Sequence, residues 1–147
     1  MDVPVLQRYL HDHIPLSKAM DVQVVEATED CVTLGAPLEP NINHRDTVFG
    51  GSASAVAILS AWTLMYLRLT SEGFNVRIVI QKNTMTYERP IAGRFTASAT
   101  LSDPALWHRF VDTLRRKSRG RFTVRSVLSH DSEKAGEFEG DFVAWRL

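Results

Sequence analysis

Apolar residues in the first quarter of the chain follow helical spacing and then strand spacing. Over Val5–Ile14 they recur every three or four positions and a proline follows, which predicts a short amphipathic helix. Apolar and polar residues then alternate over Met20–Val24 and again over Val32–Ala36, with a turn near Glu29. The pattern therefore predicts a helix followed by a β-hairpin.

A long segment without charge follows. The run VFGGSASAVAILSAWTLMYL, residues Val48–Leu67, is twenty residues long, enough to span a bilayer. Its start is rich in Gly, Ala and Ser, and the surrounding segments alternate like strands of a soluble domain. A helix that is apolar on all sides also suits the core of such a domain. We therefore predict a buried helix over Phe49–Thr70 that ends at Gly73, and no membrane span.

The second half of the chain is predicted to add four strands and one helix. The helix opens at Pro104, carries Leu106, Phe110 and Leu114 on one side, and ends in a basic run closed by Gly120. The predicted strands are Val76–Arg89, which Pro90 stops, Phe95–Leu101, Arg121–Ser129 and Glu137–Trp145.

The order of these elements predicts an α+β fold. A sheet is the one predicted layer large enough to cover the long apolar helix, so it must curl around that helix. A curved antiparallel sheet wrapped around a central helix is the hot-dog architecture, here as one domain over residues 1–147. Because hot-dog proteins usually pair their sheets edge to edge, we expect a homodimer or a dimer of dimers.

Composition narrows the class of protein. The chain has 147 residues, 44% of them hydrophobic and 23% charged, with 17 basic and 17 acidic side chains. This balance excludes a disordered tail and argues against a nucleic-acid-binding protein. One cysteine, Cys31, excludes a disulfide framework and a cysteine zinc site, and the five histidines form no ligand cluster, so we expect no metal or cofactor. The first residues lack a cationic, apolar leader, which predicts a cytoplasmic protein.

Candidate chemistry concentrates in the loop before the long helix, PNINHRDTVFGGS. Asp46 or Thr47 is expected to cap that helix. The amides of a first helical turn lack partners and carry the positive end of the helix dipole. Gly50 and Gly51 would let a carbonyl oxygen approach those amides, as in an oxyanion hole for a thioester enolate or a tetrahedral intermediate. Alternatively, the glycines let a capped helix pack closely against the sheet.

Four segments resemble one known family. They are IPLSKAM (Ile14–Met20), LGAPLEPNINHRDTVFGGS (Leu34–Ser52), TYERPI (Thr86–Ile91) and EFEGDFVA (Glu137–Ala144). The family is a hot-dog family once catalogued as a thioesterase domain, found alone or fused behind an N-acetyltransferase domain. Its members are malonyl-acyl-carrier-protein decarboxylases, and this chain is similar to the stand-alone form. The resemblance covers nearly the whole chain and implies acyl carrier protein, or acyl-CoA, as the partner.

The resemblance also implies site residues. The family's critical loop asparagine falls on Asn43, which makes Asn43 the implied catalytic residue. His44 and Asp46 lie at spacer positions, so the resemblance gives them no role. The candidate oxyanion and substrate contacts around Asn43 are Asn41, Thr47, Gly50, Gly51 and Ser52.

The residues of the predicted helix favour decarboxylation over hydrolysis. No carboxylate lies between Val48 and Leu67, and Asp46, the one acid expected near the helix start, would be occupied as a cap. Decarboxylation needs no activated water; it needs a donor for the enolate oxygen that develops as CO₂ leaves. Asn43 can donate without titrating, and a Gly51 or Ser52 amide can be the second donor. Hydrolysis with Asp46 or His44 positioning water, and a non-catalytic acyl-thioester-binding module, remain alternatives.

A basic run closes the second predicted helix. Five cations fall within seven residues, and no nucleic-acid motif accompanies them. They either stabilise a helix C-terminus or dock an acidic carrier protein or the phosphates of coenzyme A. The candidate docking residues are Arg115, Arg116, Lys117 and Arg119.

Overall fold

The computed structural model describes residues 1–101 and 103–147. Within them the chain forms four α-helices and six β-strands, with a 3₁₀ turn at Glu39–Asn41 before the third helix. The helices are α1 (Val3–His13), α2 (Pro15–Ala19), α3 (Gly50–Ser71) and α4 (Pro104–Lys117). The strands are β1 (Gln23–Ala27), β2 (Cys31–Ala36), β3 (Val76–Tyr87), β4 (Phe95–Thr100), β5 (Arg119–His130) and β6 (Glu133–Arg146).

The six strands form one antiparallel sheet in the order β1-β2-β4-β5-β6-β3. The β5–β6 hairpin is its longest pairing and runs from Arg119 opposite Trp145 to His130 opposite Glu133. Strand β3 pairs along its whole length with β6. The short β1 and the twelve-residue β3 are therefore the two edges of the sheet.

Helix α3 lies against one face of this sheet. It contacts β2, β3, β4, β5 and β6, and ten of its residues are buried. Its buried hydroxyls are satisfied: Ser60 Oγ lies 2.7 Å from both the Ala57 carbonyl oxygen and Ser126 Oγ, and Thr63 donates to the Leu59 carbonyl at 2.7 Å. Of the described helices, α3 alone is long and apolar enough to cross a membrane. Its place in the core explains that composition.

Helix α4 covers the C-terminal end of α3. Trp107 and Phe110 of α4 pack against Phe122 of β5, with ring centroids 5.1 to 5.4 Å apart. The Trp107 indole also donates to a Glu72 carboxylate oxygen at 3.1 Å, just after α3 ends. The N-terminal end of α3 lies next to the β2–α3 loop.

The predicted elements are all present, but several boundaries differ. Helix α2 was not predicted, and β1 starts three residues later than predicted, because Met20 and Asp21 form a turn in which Asp21 adopts a left-handed φ of 56°. Strands β5 and β6 both extend further, because Asp131 and Ser132 turn the chain at φ values of 50° and 63°. No glycine marks either turn, so composition gave no signal for them.

Burial of α3 gives a stability test. Leu64 on α3 is fully buried, whereas Leu16 on α2 is 58% exposed. Leu64→Ala should lower the free energy of unfolding by about 2–5 kcal/mol, because the truncation removes buried methyl groups and leaves a cavity. Leu16→Ala, the matched control, should change it by less than about 0.5 kcal/mol. Urea denaturation followed by circular dichroism measures both; equal losses would contradict the described packing.

Candidate active site

The loop between β2 and α3 closes into a tight turn. The backbone amide of Asn43 donates to the Thr47 carbonyl at 2.8 Å. Just outside this hydrogen bond, Ile42 and Val48 form an antiparallel bridge. Asp46 completes the turn in a left-handed conformation, with φ at 63°. The three residues between Asn43 and Thr47 therefore lie exposed at its tip.

The side chain of Asn43 holds this turn from inside. Its Oδ1 accepts from the backbone amides of Arg45 at 2.8 Å and Thr47 at 3.2 Å, and its Nδ2 donates to Thr47 Oγ1 at 2.9 Å. The amide group has two N–H bonds. Among residues 1–101 and 103–147, the second N–H has no partner. Asn43 is half-buried, so the structure fixes the orientation of an amide group that still has a donor to offer.

The start of α3 differs from the prediction. Phe49 is the N-cap residue and no side chain caps the helix, so the predicted cap by Asp46 or Thr47 is wrong. The Phe49 carbonyl accepts from the Ser52 amide at 2.9 Å and from the Ala53 amide at 3.1 Å. The Ser52 amide is therefore engaged.

Two donors remain at the first turn of α3. In the described part of the chain, the backbone amides of Gly50 and Gly51 have no hydrogen-bond acceptor. A Cβ on Gly51 would fall well inside contact distance of the Phe49 ring, which is 57% exposed. At Gly50 it would lie 3.5 Å from the Tyr87 ring, an ordinary contact. A side chain at position 51 would therefore require the exposed Phe49 ring to move, whereas one at position 50 would not displace Tyr87.

Asn41, predicted as a substrate contact, lies buried behind the loop. It is 2% exposed, and its Nδ2 donates to the carbonyls of Met20 at 3.0 Å and Pro37 at 2.8 Å. The Asn41 carbonyl accepts from the Phe49 amide at 2.8 Å. These bonds tie the loop to the chain before β1 and to the start of α3. In this geometry Asn41 positions the loop, and its side-chain N–H groups are fully used.

A cleft of about 360 Å³ opens beside the first turn of α3. The Tyr87 hydroxyl, from the end of β3, donates to the Gly50 carbonyl at 3.2 Å and joins the cleft wall to the helix. Most of the other wall residues are apolar. The lining comprises Val48, Gly50, Ala53, Tyr87, Glu88, Arg89, Pro90, Ile91, Leu128 and Ala135.

Glu88 is the acid that the sequence interpretation missed. It lines the cleft together with Gly50, so Asp46 is not the one acid near the helix start. Lys134 lies 3.3 Å from the Glu88 carboxylate and also binds Glu137. The hydrogen bonds that Lys134 donates, first to Glu137 and also to Glu88, raise the pKa of Lys134 and keep it charged. The TYERPI segment gave a signal for the position of Glu88. A strand that ends at a proline places its last side chains at the margin of a sheet.

The structure separates the predicted basic residues from this loop. Arg115, Arg116 and Lys117 end α4 and Arg119 begins β5, all of them exposed. They lie near the C-terminal end of α3, whose 22 residues span about 33 Å. Asn43 and Thr47 therefore lie in the loop that leads into the first turn of α3, whereas the basic residues of the same chain lie at the opposite end of that helix.

Comparison with solved structures identifies the class of fold. A protein of unknown function from Chlorobaculum tepidum, OLEI01261, is 27% identical, with a TM-score of 0.92 over 99% of this chain and 94% of that one. A protein described as a "putative thioesterase" from Shewanella oneidensis is 24% identical, with a TM-score of 0.87 over 97% and 96%. The thioesterase HI1161 from Haemophilus influenzae shares the fold at 13% identity, with a TM-score of 0.78 over 100% and 92%. The predicted hot-dog fold is confirmed.

The sequence also matches a family profile. Residues 3–146 match the family described as "Putative thioesterase (yiiD_Cterm)". The chain belongs to this family. The predicted membership of this thioesterase-like family is therefore confirmed.

Asn41 allows a test of how the loop is held. Asn41→Asp would replace two donated hydrogen bonds with a buried carboxylate that faces the Met20 and Pro37 carbonyls. The variant should lose about 3–5 kcal/mol of stability at neutral pH. Burial favours the protonated acid in the folded state, so the loss should shrink as the pH falls toward about 4. Urea denaturation at pH 7 and pH 4.5 measures this; a loss that does not depend on pH would contradict it.

Proposed function

We propose that the protein decarboxylates malonyl thioesters, converting malonyl-acyl carrier protein into acetyl-acyl carrier protein and CO₂ and so supporting the initiation of fatty-acid synthesis. The observation that carries this proposal is the side-chain amide of Asn43. Its hydrogen bonds to the turn fix its orientation, and one of its N–H bonds has no acceptor among the described residues. The free amides of Gly50 and Gly51 follow Thr47 in the same segment. A non-titrating donor and two backbone donors suit a reaction in which negative charge develops on a carbonyl oxygen.

The chemistry needs few groups. The bond between the carboxylate carbon and the α-carbon breaks, CO₂ leaves, and the electron pair passes into the thioester to form an enolate. Water then supplies the proton that gives the acetyl thioester. In our proposal the Gly50 and Gly51 amides bind the thioester oxygen, and Asn43 either orients the carboxylate or donates to the enolate. These donors act most strongly on the transition state, where the oxygen charge is largest.

The cleft beside α3 supports the loss of a charged carboxylate. Its walls include Val48, Ala53, Ile91 and Leu128, which solvate an anion poorly. A carboxylate held against such walls is destabilised relative to neutral CO₂. Orientation by Asn43 would set the breaking bond perpendicular to the thioester plane, so that its electrons can delocalise as the bond lengthens.

Thioester hydrolysis is the second candidate, and Glu88 favours it. The family is described as a putative thioesterase, and the Haemophilus protein is described as a thioesterase. Glu88 brings a carboxylate to the cleft beside Gly50, where it could act as a general base toward water. The same carboxylate also pairs with Lys134 at 3.3 Å, a contact that competes with a water molecule for its oxygens. Both reactions would use the same amides to hold the thioester oxygen.

We also propose that the working form is a homodimer paired through β3. This edge strand has twelve residues, and eight of them are exposed, including Val79 at 40%. An open edge of that length is a template for pairing with another strand. The opposite edge, β1, has five residues, an irregular register and α1 packed against it. Strand β3 is thus the better edge for continuing the sheet into a second copy.

Light scattering tests the dimer. The molar mass at micromolar concentration should be twice that of the 16.5-kDa chain. Because a proline cannot donate to a ladder, Val79→Pro should lower the mass toward that of one chain. The exposed Val25 on β1 supplies the matched control, since Val25→Pro changes the other edge. A wild-type protein that runs as a monomer would contradict the proposal.

Substitution of Asn43 tests the reaction. Asn43→Ala should retain the fold and lose about 10²–10³-fold in kcat, with a smaller effect on KM, because the donor matters most in the transition state. Asn43→Asp should be at least as inactive, because a carboxylate at neutral pH accepts but does not donate and repels the substrate anion. The substrate is malonyl-carrier protein, and mass spectrometry reports acetyl-carrier protein or free carrier thiol.

Matched acid variants separate the two candidate reactions. Asp46→Asn and Glu88→Gln each keep side-chain volume and remove a carboxylate, and both should leave decarboxylation substantially intact. Free carrier thiol as the product, abolished by Glu88→Gln and retained in Asn43→Ala, would establish hydrolysis instead. Unchanged substrate with the wild-type protein would leave the non-catalytic binding module as the function.

A further inference from the structure

Cations from four separate elements meet at one corner of the sheet. Strand β3 begins there, α4 ends there, β5 begins there and β6 ends there. We call this set the basic corner, and its members are Arg77, Arg115, Arg116, Lys117, Arg119, Arg121 and Arg146.

Contacts link members of the corner in two groups, around the neighbouring segments that carry Trp145 and Phe74. Arg77 and Arg119 lie on either side of Trp145 in the sheet register. The guanidinium groups of Arg115 and Arg146 both lie over the Phe74 ring, at 5.3 Å and 5.8 Å from its centre. Each stacking contact fixes a long side chain without neutralising its charge.

The charge of the basic corner is largely uncompensated. Elsewhere on the chain, several exposed cations are paired, such as Arg125 with Glu139 at 3.0 Å and Lys134 with two glutamates. Others, such as Arg8 and Lys18, have no ion pair among the described residues. In the corner, among residues 1–101 and 103–147, the one ion pair joins Arg115 to Glu72 at 3.8 Å. Because the whole chain has no net charge, this corner is a local positive field on an otherwise balanced protein.

The shape of the corner indicates the kind of partner. On β5, exposed Arg119 and Arg121 alternate with buried Gly120 and Phe122, so their side chains lie on the face of the sheet away from α3. The cations are spread over an exposed surface, whereas a site for one phosphate group gathers donors into a concavity. A broad exposed field of this kind fits a folded acidic protein surface.

We propose that the basic corner is the docking surface for the acidic carrier protein, and that it serves the active site of the second copy in the dimer. The proposal rests on the proposed function. The length of α3, about 33 Å, separates the corner from Gly50 of its own chain. A two-fold dimer that continues the sheet pairs the two β3 strands antiparallel, so the Arg77 end of one lies toward the Tyr87 end of the other. Tyr87 joins the cleft through Gly50, so the corner of one chain approaches the cleft of its partner.

Charge reversal tests the docking surface. Arg116→Glu/Arg119→Glu alters two exposed corner residues that make no ion pair within the described chain, and Arg8→Glu/Lys18→Glu is the control with the same charge change. At low salt, the corner variant should lose about tenfold or more in kcat/KM for malonyl-carrier protein, and the loss should shrink as salt rises. With malonyl-pantetheine, which lacks the carrier, both variants should match wild type.

Each other outcome has a distinct meaning. Equal kinetics of the corner variant and the control on malonyl-carrier protein would overturn the docking proposal. A loss seen with malonyl-CoA and not with malonyl-carrier protein would overturn it in favour of a nucleotide-phosphate site, and tight binding of a DNA duplex that displaces the carrier would also overturn it. Wild-type protein inactive on every malonyl thioester would instead mean that the proposed function is wrong. Carrier binding by the corner can then be measured separately by calorimetry.

Mixed dimers test whether the corner serves the partner. One chain carries Asn43→Ala, the other carries Arg116→Glu/Arg119→Glu, and two affinity tags isolate the mixed species. Activity on malonyl-carrier protein should recover to about half that of wild type, because the intact Asn43 of one chain faces the intact corner of the other. Activity no higher than that of the corner-variant homodimer would overturn service in trans. In the converse dimer, all three changes lie on one chain and the partner is wild type. Service in trans predicts low activity for this dimer, because its one intact Asn43 faces the altered corner, whereas service within one chain predicts about half of wild-type activity.

Discussion

The structure depends on the burial of a helix that is apolar on all sides. An amphipathic helix can rest on a flat sheet, but α3 has apolar residues around its whole circumference, so the sheet must curve around it and other elements must close the gaps. Helix α4 closes one end through Trp107, and the pair of hydroxyls on Ser60 and Ser126 shows how closely sheet and helix approach. The wrapping leaves the first turn of α3 facing a loop, and that position defines the candidate site.

Periodicity predicted the elements of this fold because burial imposes it. The long uncharged run gave α3 within one residue at each end, and the alternating segments gave all six strands. The errors fall where backbone conformation decides the structure. Asp21, Asp131 and Ser132 turn the chain at positive φ without a glycine, and no pattern of apolar residues encodes that choice.

The candidate site was predictable in part. Its loop stood out by composition, and a family resemblance singled out Asn43, but the loop's hydrogen bonds could not be read from the sequence. Composition alone did not distinguish the two asparagines, yet Asn41 uses both of its side-chain N–H groups on buried carbonyls while Asn43 retains one. Glu88 was missed because it reaches the cleft from a strand that is distant in the sequence. Such encounters depend on tertiary packing, which local patterns do not record.

The turn that holds Asn43 has a consequence for how this protein can change over evolution. Its frame is the hydrogen-bonded pair Asn43 and Thr47. Its tip is three exposed residues, of which Arg45 bonds to Asn43 through its backbone amide and not through its side chain. Mutations at His44 or Arg45 can therefore accumulate without disturbing the frame, whereas Asp46, at positive φ, favours replacement by asparagine or glycine. Selection can thus vary the exposed tip of the turn while the side-chain amide of Asn43 stays where it is.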